Sequence, residues 1–263
     1  MPATKFKLTL IQMNISGGRA DLNLARARKL IGNREATTDY PEIILLPELW
    51  GSGYDLDNLE KHAASTPELL SAAAAIARQS GSWLGGSLVS KEQERFYNTF
   101  FLLDPEGKII AAYHKIHLFS LMDEDRYFTS GDRPCLVEIE GCGIGLLTCY
   151  DIRFPELARR LTLEGAELLL VCAQWPRPRT AHWSNLLRAR ALENQLFVSG
   201  CNRIGRGPLH HYPGASAIYG PWGETLLRAA NRQGAFTAII DLAVIDQIRS
   251  TIPCLRDRRP QAY

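Results

Sequence analysis

Short aliphatic runs alternate with amphipathic stretches from one end of this chain to the other, and that alternation limits the folds open to it. Glu42-Ile43-Ile44-Leu45-Leu46 and Glu167 to Ala173 are nearly continuous apolar runs, the pattern of strands covered on both faces. Lys5 to Met13 instead alternates polar and apolar residues, as a half-buried strand does. Asp21 to Ile31 has helical spacing with Asp21 placed to cap it, and Ser65-Thr66-Pro67-Glu68 reads as the opening of an Ala-rich helix to about Gln79. Further strands are predicted at Trp83 to Val89, Phe96 to Leu103 and from Lys108 to Tyr113, with Asp104-Pro105-Glu106-Gly107 as a turn.

The second half repeats the pattern. Leu136 to Ile139 and Gly143 to Thr148 form a predicted hairpin around Gly141, Pro155 opens a helix to about Glu164, and Thr180 to Asn194 is amphipathic. Strands are expected at Leu196 to Cys201, Ala215 to Tyr219, Thr225 to Leu227 and Phe236 to Leu242, with a last helix over Ala243 to Thr251. Helical crossovers mixed with hairpins imply an α/β fold with a mixed sheet system and helices on its outer faces. With no linker or low-complexity stretch, residues 1–263 are expected to form one domain.

Composition narrows the function classes. The net charge is +2, with the basic residues dispersed, so no phosphate-gripping surface is indicated and no nucleic-acid partner is expected. No run of about 18 uncharged apolar residues occurs, which argues against a membrane partner. The chain enters its first strand without an apolar leader, and a cytoplasmic location follows as an expectation. None of the six cysteines forms a C-x-x-C pair, so no zinc site is indicated, and the chain is expected to work without metal or organic cofactor.

Three reactive side chains each follow a strand-like run: Glu48 after Ile43 to Pro47, Lys115 after Ile109 to His114, and Cys149 after Gly143 to Thr148. Ligands of α/β sheets gather beyond the carboxyl ends of strands. All three are therefore expected at one rim of one sheet. A carboxylate beside the thiol can take its proton during attack, and an ammonium lowers the cost of the thiolate and of the oxyanion that follows. Cys149 also shortly precedes the helix at Pro155, whose free N–H groups favour negative charge. Singly, each residue has an ordinary structural use, as buried thiol, loop carboxylate or solvated lysine. A Cys–His pair would need His114, His117, His182, His210 or His211 beside Cys149, and no motif supports one.

Leu45-Leu46-Pro47-Glu48-Leu49, His114-Lys115-Ile116-His117-Leu118-Phe119 and Leu147-Thr148-Cys149-Tyr150-Asp151-Ile152-Arg153-Phe154-Pro155-Glu156 resemble the three signature segments of the nitrilase, or carbon–nitrogen hydrolase, superfamily. They come in that family's order, and the likeness extends to Tyr219-Gly220-Pro221-Trp222-Gly223-Glu224. The resemblance implies a four-layer αββα sandwich of the nitrilase type, often a homodimer whose sheets continue through the interface. It implies Cys149 as nucleophile, Glu48 as general base, and Lys115 with the Tyr150 backbone N–H as oxyanion donors. A second orienting glutamate is assigned to Glu124, with Asp123 and Asp125 as alternatives.

Cys149-Tyr150-Asp151 differs from the Cys-Trp-Glu context of nitrilases, which favours amides over nitriles as the small-molecule substrate. Gln174-Trp175-Pro176, Trp183 to Gln195 and Asn202-Arg203-Ile204-Gly205 are most similar to bacterial omega-amidases, which release ammonia from 2-oxo acid amides such as 2-oxoglutaramate. Arg153 stands where related N-carbamoyl amino acid hydrolases bind the substrate carboxylate; a salt bridge to Glu156 is its structural alternative. Trp175 is a candidate apolar wall, and Arg177 and Arg179 are further candidate cations. Amidases for deaminated glutathione or N-carbamoyl amino acids, an acyltransferase and a non-catalytic binding protein are the competing readings.

Overall fold

The computed structural model describes residues 4–35, 39–207 and 210–262. Along the chain run β1 (Lys5–Gln12), α1 (Ala20–Gly32), β2 (Glu42–Leu45), α2 (Leu59–Ser80), β3 (Trp83–Glu92), β4 (Arg95–Leu103), β5 (Ile109–His114) and α3 (Glu124–Tyr127). Then follow β6 (Leu136–Ile139), β7 (Cys142–Thr148), α4 (Pro155–Leu163), β8 (Ala166–Ala173), α5 (Thr180–Asn194), β9 (Phe197–Asn202), β10 (Ile204–Arg206), β11 (His211–Pro213), β12 (Ala217–Tyr219), β13 (Thr225–Arg228), β14 (Gly234–Asp241) and α6 (Val244–Thr251).

Two six-stranded sheets carry the fold, ordered β14-β1-β2-β3-β4-β5 and β13-β12-β9-β8-β7-β6. Each has three parallel strands at its centre, β1-β2-β3 and β7-β8-β9, flanked by antiparallel neighbours. Helical crossovers α1, α2, α4 and α5 join the parallel strands, since such strands cannot be linked by a hairpin. The period-two pattern then assigns the faces. Phe6, Leu8 and Leu10 of β1 meet Leu168, Leu170 and Cys172 of β8 in a core between the sheets. Leu169, Val171 and Ala173 face the other way and pack with Leu161 of α4 and with Trp183 and Leu187 of α5. Ile44 and Leu84 on the first sheet's outer face cluster with Ala27 of α1 and Ala73 and Ala77 of α2. The layers are therefore α, β, β, α.

Three sequence expectations change. The β1 strand is covered on both faces, although it alternates polar and apolar residues. Lys7 and Thr9 are buried and meet the Glu42 carboxylate, at 3.3 Å and 2.6 Å, which also pairs with Arg34. The alternation thus marks an ion-paired buried face, not a wet one. In α1 the N-cap is Arg19, and Asp21 lies inside the first turn, where its charge suits the helix dipole. The α2 helix begins at Leu59, six residues before Ser65, and carries Pro67 within it. Ser65 and Thr66 cap nothing; their hydroxyls both donate to the His62 carbonyl in the preceding turn. Burial of Leu59, His62 and Thr66 holds the turn that precedes the proline.

The close fit of α5 on the second sheet depends on Gly200 in β9. A Cβ there would sit 2.6 Å from Leu187 Cδ1 and 2.8 Å from Trp183 Cζ2. Overpacking of this kind costs about 1–3 kcal/mol. Gly200→Ala should lower the urea midpoint by that stability with the m-value retained; an unchanged midpoint would show that α5 is not seated so tightly.

Candidate active site

Local backbone shapes put the reactive groups at strand ends. The β7 strand stops at Thr148, and Cys149 opens a 3-10 turn, Cys149–Arg153, in the left-handed region at φ 47°. Such a conformation costs a β-carbon residue of order 1–3 kcal/mol and persists only where its surroundings dictate it. Asp151 supplies much of that constraint. Its fully buried carboxylate accepts from the Thr148 N–H (2.9 Å), the Tyr113 hydroxyl (2.7 Å) and the His117 N–H (3.0 Å), with His117 Nδ1 at 2.8 Å. It thereby ties the Cys149 turn to both sides of Lys115. Leu49, directly after Glu48, has φ 42°, and Asp123, directly before Glu124, has φ 57°.

Sequence spacing predicts one rim of one sheet, and the structure corrects this: the groups meet at the seam between two sheets. Glu48 follows β2 and Lys115 follows β5 in the first sheet, whereas Cys149 follows β7 in the second. The sheets face each other with these strand ends together, so the side chains converge across the seam. Lys115 Nζ lies 2.8 Å from Glu48 Oε1, and 2.8 and 2.6 Å from the two Glu124 oxygens, with all three side chains fully buried. Glu124 is the carboxylate the fold turns inward from its acidic run. Asp123 pairs with Arg126 on the surface, and Asp125 is exposed.

Glu48 is unequally served. Its Oε1 accepts from Lys115 Nζ (2.8 Å), Asn98 Nδ2 (2.9 Å) and the Tyr54 hydroxyl (2.9 Å). Its Oε2 accepts the Gln174 N–H at 2.9 Å, and the Gln174 side chain donates back to the Glu48 carbonyl at 2.8 Å. The Glu48 carboxylate is close enough to Cys149 for its charge to raise the thiol pKa. With three donors on Oε1, Oε2 is the oxygen with capacity for another proton.

Electrostatics follow from this crowding. Burial alone would lower the Lys115 pKa, but Glu124 and Glu48 hold it well above the usual lysine range. Burial raises Glu124, with Lys115 pulling it back and Glu48 adding to the rise. Burial pushes the Cys149 thiol well above its ordinary value, Glu48 and Glu124 add to this, and Lys115 offsets only part. Lysine is thus already committed to two carboxylates and does not make a standing thiolate.

Tyr54 and Asn98 complete the site without a sequence signal of their own, and Gln174 and Arg203 join them from segments that the resemblance to omega-amidases marks without giving those two residues a role. Tyr54 and Asn98 touch both carboxylates, with the Tyr54 hydroxyl 2.9 Å from Glu124 as well. Arg203 is buried, donates to Gln174 Oε1 at 2.7 Å, and has its pKa pushed down to about 10 by desolvation. The histidines are engaged elsewhere: His114 with Thr99 and Glu92, His117 with Asp151, His182 with Arg153, and His211 with Arg177.

Above the thiol opens a narrow cleft lined by Tyr54, Phe119, Met122, Cys149, Tyr150, Arg153, Gln174, Trp175, Pro176 and Arg179. Arg153 forms no ion pair with Glu156 among the described residues; its guanidinium stacks over Trp175, 4.7 Å from the ring centroid. Arg179 lines the same cleft over Phe119, and Arg177 is exposed.

Comparison with known proteins places this geometry. The sequence profile described as "Carbon-nitrogen hydrolase" matches residues 7–250. The 2-oxoglutaramate amidase of Bacillus subtilis is 37% identical, over 98% of this chain and 100% of its own length. The omega-amidase of Homo sapiens is 32% identical, over 99% and 97%. The crystal structure of an amidase from Nesterenkonia sp. superposes with a TM-score of 0.87 at 26% identity, covering 100% of this chain and 96% of that one. A variant of that amidase carries the acetamide moiety of fluoroacetamide covalently on its active-site cysteine.

Two outcomes follow from the site. Asp151→Ala should destabilise the protein by about 2–5 kcal/mol, because it strands buried donors, and should depress activity further by releasing the Cys149 turn. Wild-type melting in that variant would remove the constraint assigned to Asp151. Since the raised thiol pKa favours the protonated form, Cys149 alkylation by iodoacetamide, followed by peptide mass spectrometry, should keep rising beyond about pH 8.5, the ordinary thiol midpoint. A plateau at neutral pH would reveal a standing thiolate.

Proposed function

The chain belongs to the carbon–nitrogen hydrolase family, and from that premise we propose that it hydrolyses a small-molecule carboxamide to carboxylate and ammonia through a thioester on Cys149. The observation that carries this reading is the Glu48 carboxylate, with one oxygen saturated by three donors, the other accepting from the Gln174 N–H, and its charge felt by a cysteine held at positive φ. The covalent adduct on the cysteine of the Nesterenkonia amidase supports the same chemistry.

Cys149 Sγ attacks the amide carbon as its proton passes to Glu48. Negative charge moves onto the carbonyl oxygen, which takes a hydrogen bond from the Tyr150 N–H, near the start of a 3-10 turn whose first N–H groups have no partner within it. Lys115 supplies the second donor. Two of its three contacts go to the same Glu124 carboxylate, so one N–H can serve both oxygens and another can turn to the oxyanion. Glu124 orients that ammonium. The C–N bond then breaks as Glu48 returns the proton to the departing nitrogen, giving ammonia and the thioester. Water attacks next, Glu48 takes its proton, and collapse expels the sulfur, which regains the proton as the carboxylic acid leaves.

The preferred substrate is a 2-oxo acid amide such as 2-oxoglutaramate. The amidases of Bacillus subtilis and Homo sapiens, named for such chemistry, support this, as does the cleft, which presents an arginine above the thiol and the Trp175 wall beside it. We assign Arg153 to the substrate carboxylate and Trp175 to its methylenes. The enzyme is further proposed to act as one domain in the cytoplasm, which the lack of any disulfide among the described residues favours. We also propose a homodimer, whose interface would cover exposed Leu163 and Leu192 on the second helical layer.

Cys149→Ala should abolish ammonia release from 2-oxoglutaramate without loss of fold, and wild-type turnover there would remove the nucleophile. Glu48→Gln should slow acylation by at least about 10²-fold, read by intact-protein mass spectrometry during turnover; acylation at the normal rate would dismiss the base.

A further inference from the structure

Two guanidinium groups share the cleft above Cys149, and none of the residues lining it is acidic. Each cation is held on an aromatic face. Arg153 Cζ lies 4.7 Å from the Trp175 centroid and 5.8 Å from that of Tyr150, and Arg179 Cζ lies 5.3 Å from that of Phe119. Stacking of this kind orients the guanidinium plane and leaves its N–H edges for other partners. Of the five donors that an arginine carries, Arg153 has a side-chain contact through one, to His182 Nδ1 at 3.3 Å. Arg179 forms no ion pair with any carboxylate among the described residues, and both side chains are half-buried.

The two cations also sense each other. Burial lowers the Arg153 pKa, and the Arg179 charge lowers it further. Two like charges that line one cleft without a counter-ion are unfavourable, and an anion in the cleft relieves them. A single carboxylate satisfies one guanidinium by a bidentate pair. A second guanidinium beside the first then calls for another acceptor next to that carboxylate. A carbonyl oxygen on the adjacent carbon meets the requirement. An ammonium group on that carbon would instead add a third positive charge at the same place.

Resting on the amidase reading above, we propose that Arg179 is a specificity-determining residue: together with Arg153 it grips the 2-oxo carboxylate end of the substrate and rejects 2-amino acid amides such as glutamine. Arg153 takes the carboxylate, Arg179 the 2-oxo oxygen and the outer carboxylate edge. The thiol end of the cleft is indifferent to this distinction, because the amide group is the same in both classes.

The test compares kcat/KM for 2-oxoglutaramate, 4-carbamoylbutanoate, L-glutamine and propionamide in the wild type, Arg179→Gln and Arg179→Lys. Loss of a charge-assisted hydrogen bond reduces the 2-oxoglutaramate value by about 10–100-fold. The expected result for Arg179→Gln is that loss, a much smaller one on 4-carbamoylbutanoate, an unchanged value for propionamide, and a 2-oxo to 2-amino preference reduced by at least about 10-fold. Arg179→Lys should fall between, as it keeps the charge and loses the fork; it also decides the matter if the glutamine variant fails to fold. A wild-type preference ratio in the folded variants overturns the proposal. Wild-type turnover of propionamide with no preference for the 2-oxo compound overturns it too and leaves the amidase reading standing. No ammonia from any of the four amides ends both.

Discussion

One buried ammonium shared between two buried carboxylates is the interaction on which the rest of this structure depends. Lys115, Glu48 and Glu124 are all removed from water, and each would be costly to bury alone, by several kcal/mol after relaxation. Their separation from water requires both sheets. The first brings Lys115, Asn98 and Glu48, and the second closes over Glu48 with the Gln174 main chain and amide. The site and the sheet-on-sheet packing are thus mutually dependent. Loss of the ammonium leaves both carboxylates without a counter-charge, and loss of the packing admits water to all three.

That charge cluster also sets the style of the chemistry. Two carboxylates around one lysine leave no net positive field to draw a proton from Cys149, and burial opposes the thiolate further. In the proposed reaction the proton therefore moves during attack. This places a premium on geometry, which the fold supplies by holding Cys149 and Leu49 in left-handed backbone conformations beside the two reacting groups. Asp151 fixes the cysteine turn against the strand end that carries Lys115, so the relative position of sulfur and ammonium is held by one carboxylate that itself stays out of the reaction.

The site divides its labour along its depth. Beneath the cleft, the buried acidic groups and lysine are matched charge for hydrogen bond. At the mouth, arginines are stacked on aromatic rings with no acid beside them. A carboxamide group suits the first environment because it is neutral and polar; a carboxylate suits the second. A linear molecule with one of each at its ends satisfies both, and on the proposed reading the arginines bear on substrate choice more than on bond breaking.

How much of this could be read in advance depends on the range of the forces involved. Strand and helix periodicity is local, so Thr180–Asn194 and the hairpin about Gly141 appear in the sequence with nearly their structural bounds. Pro67 misleads because propensity is weaker than the burial of Leu59, His62 and Thr66, which carries the helix back beyond it. The residue types able to do amide chemistry, Glu48, Lys115 and Cys149, stand out through their short motifs. Only the tertiary structure decided that they meet across two sheets, that Glu124 rather than Asp123 or Asp125 turns inward, and that Tyr54, Asn98, Gln174 and Arg203 stand around them. The reason is physical: the Gln174–Glu48 contact joins residues 126 apart, and no local preference encodes a hydrogen bond that exists only after two sheets have closed.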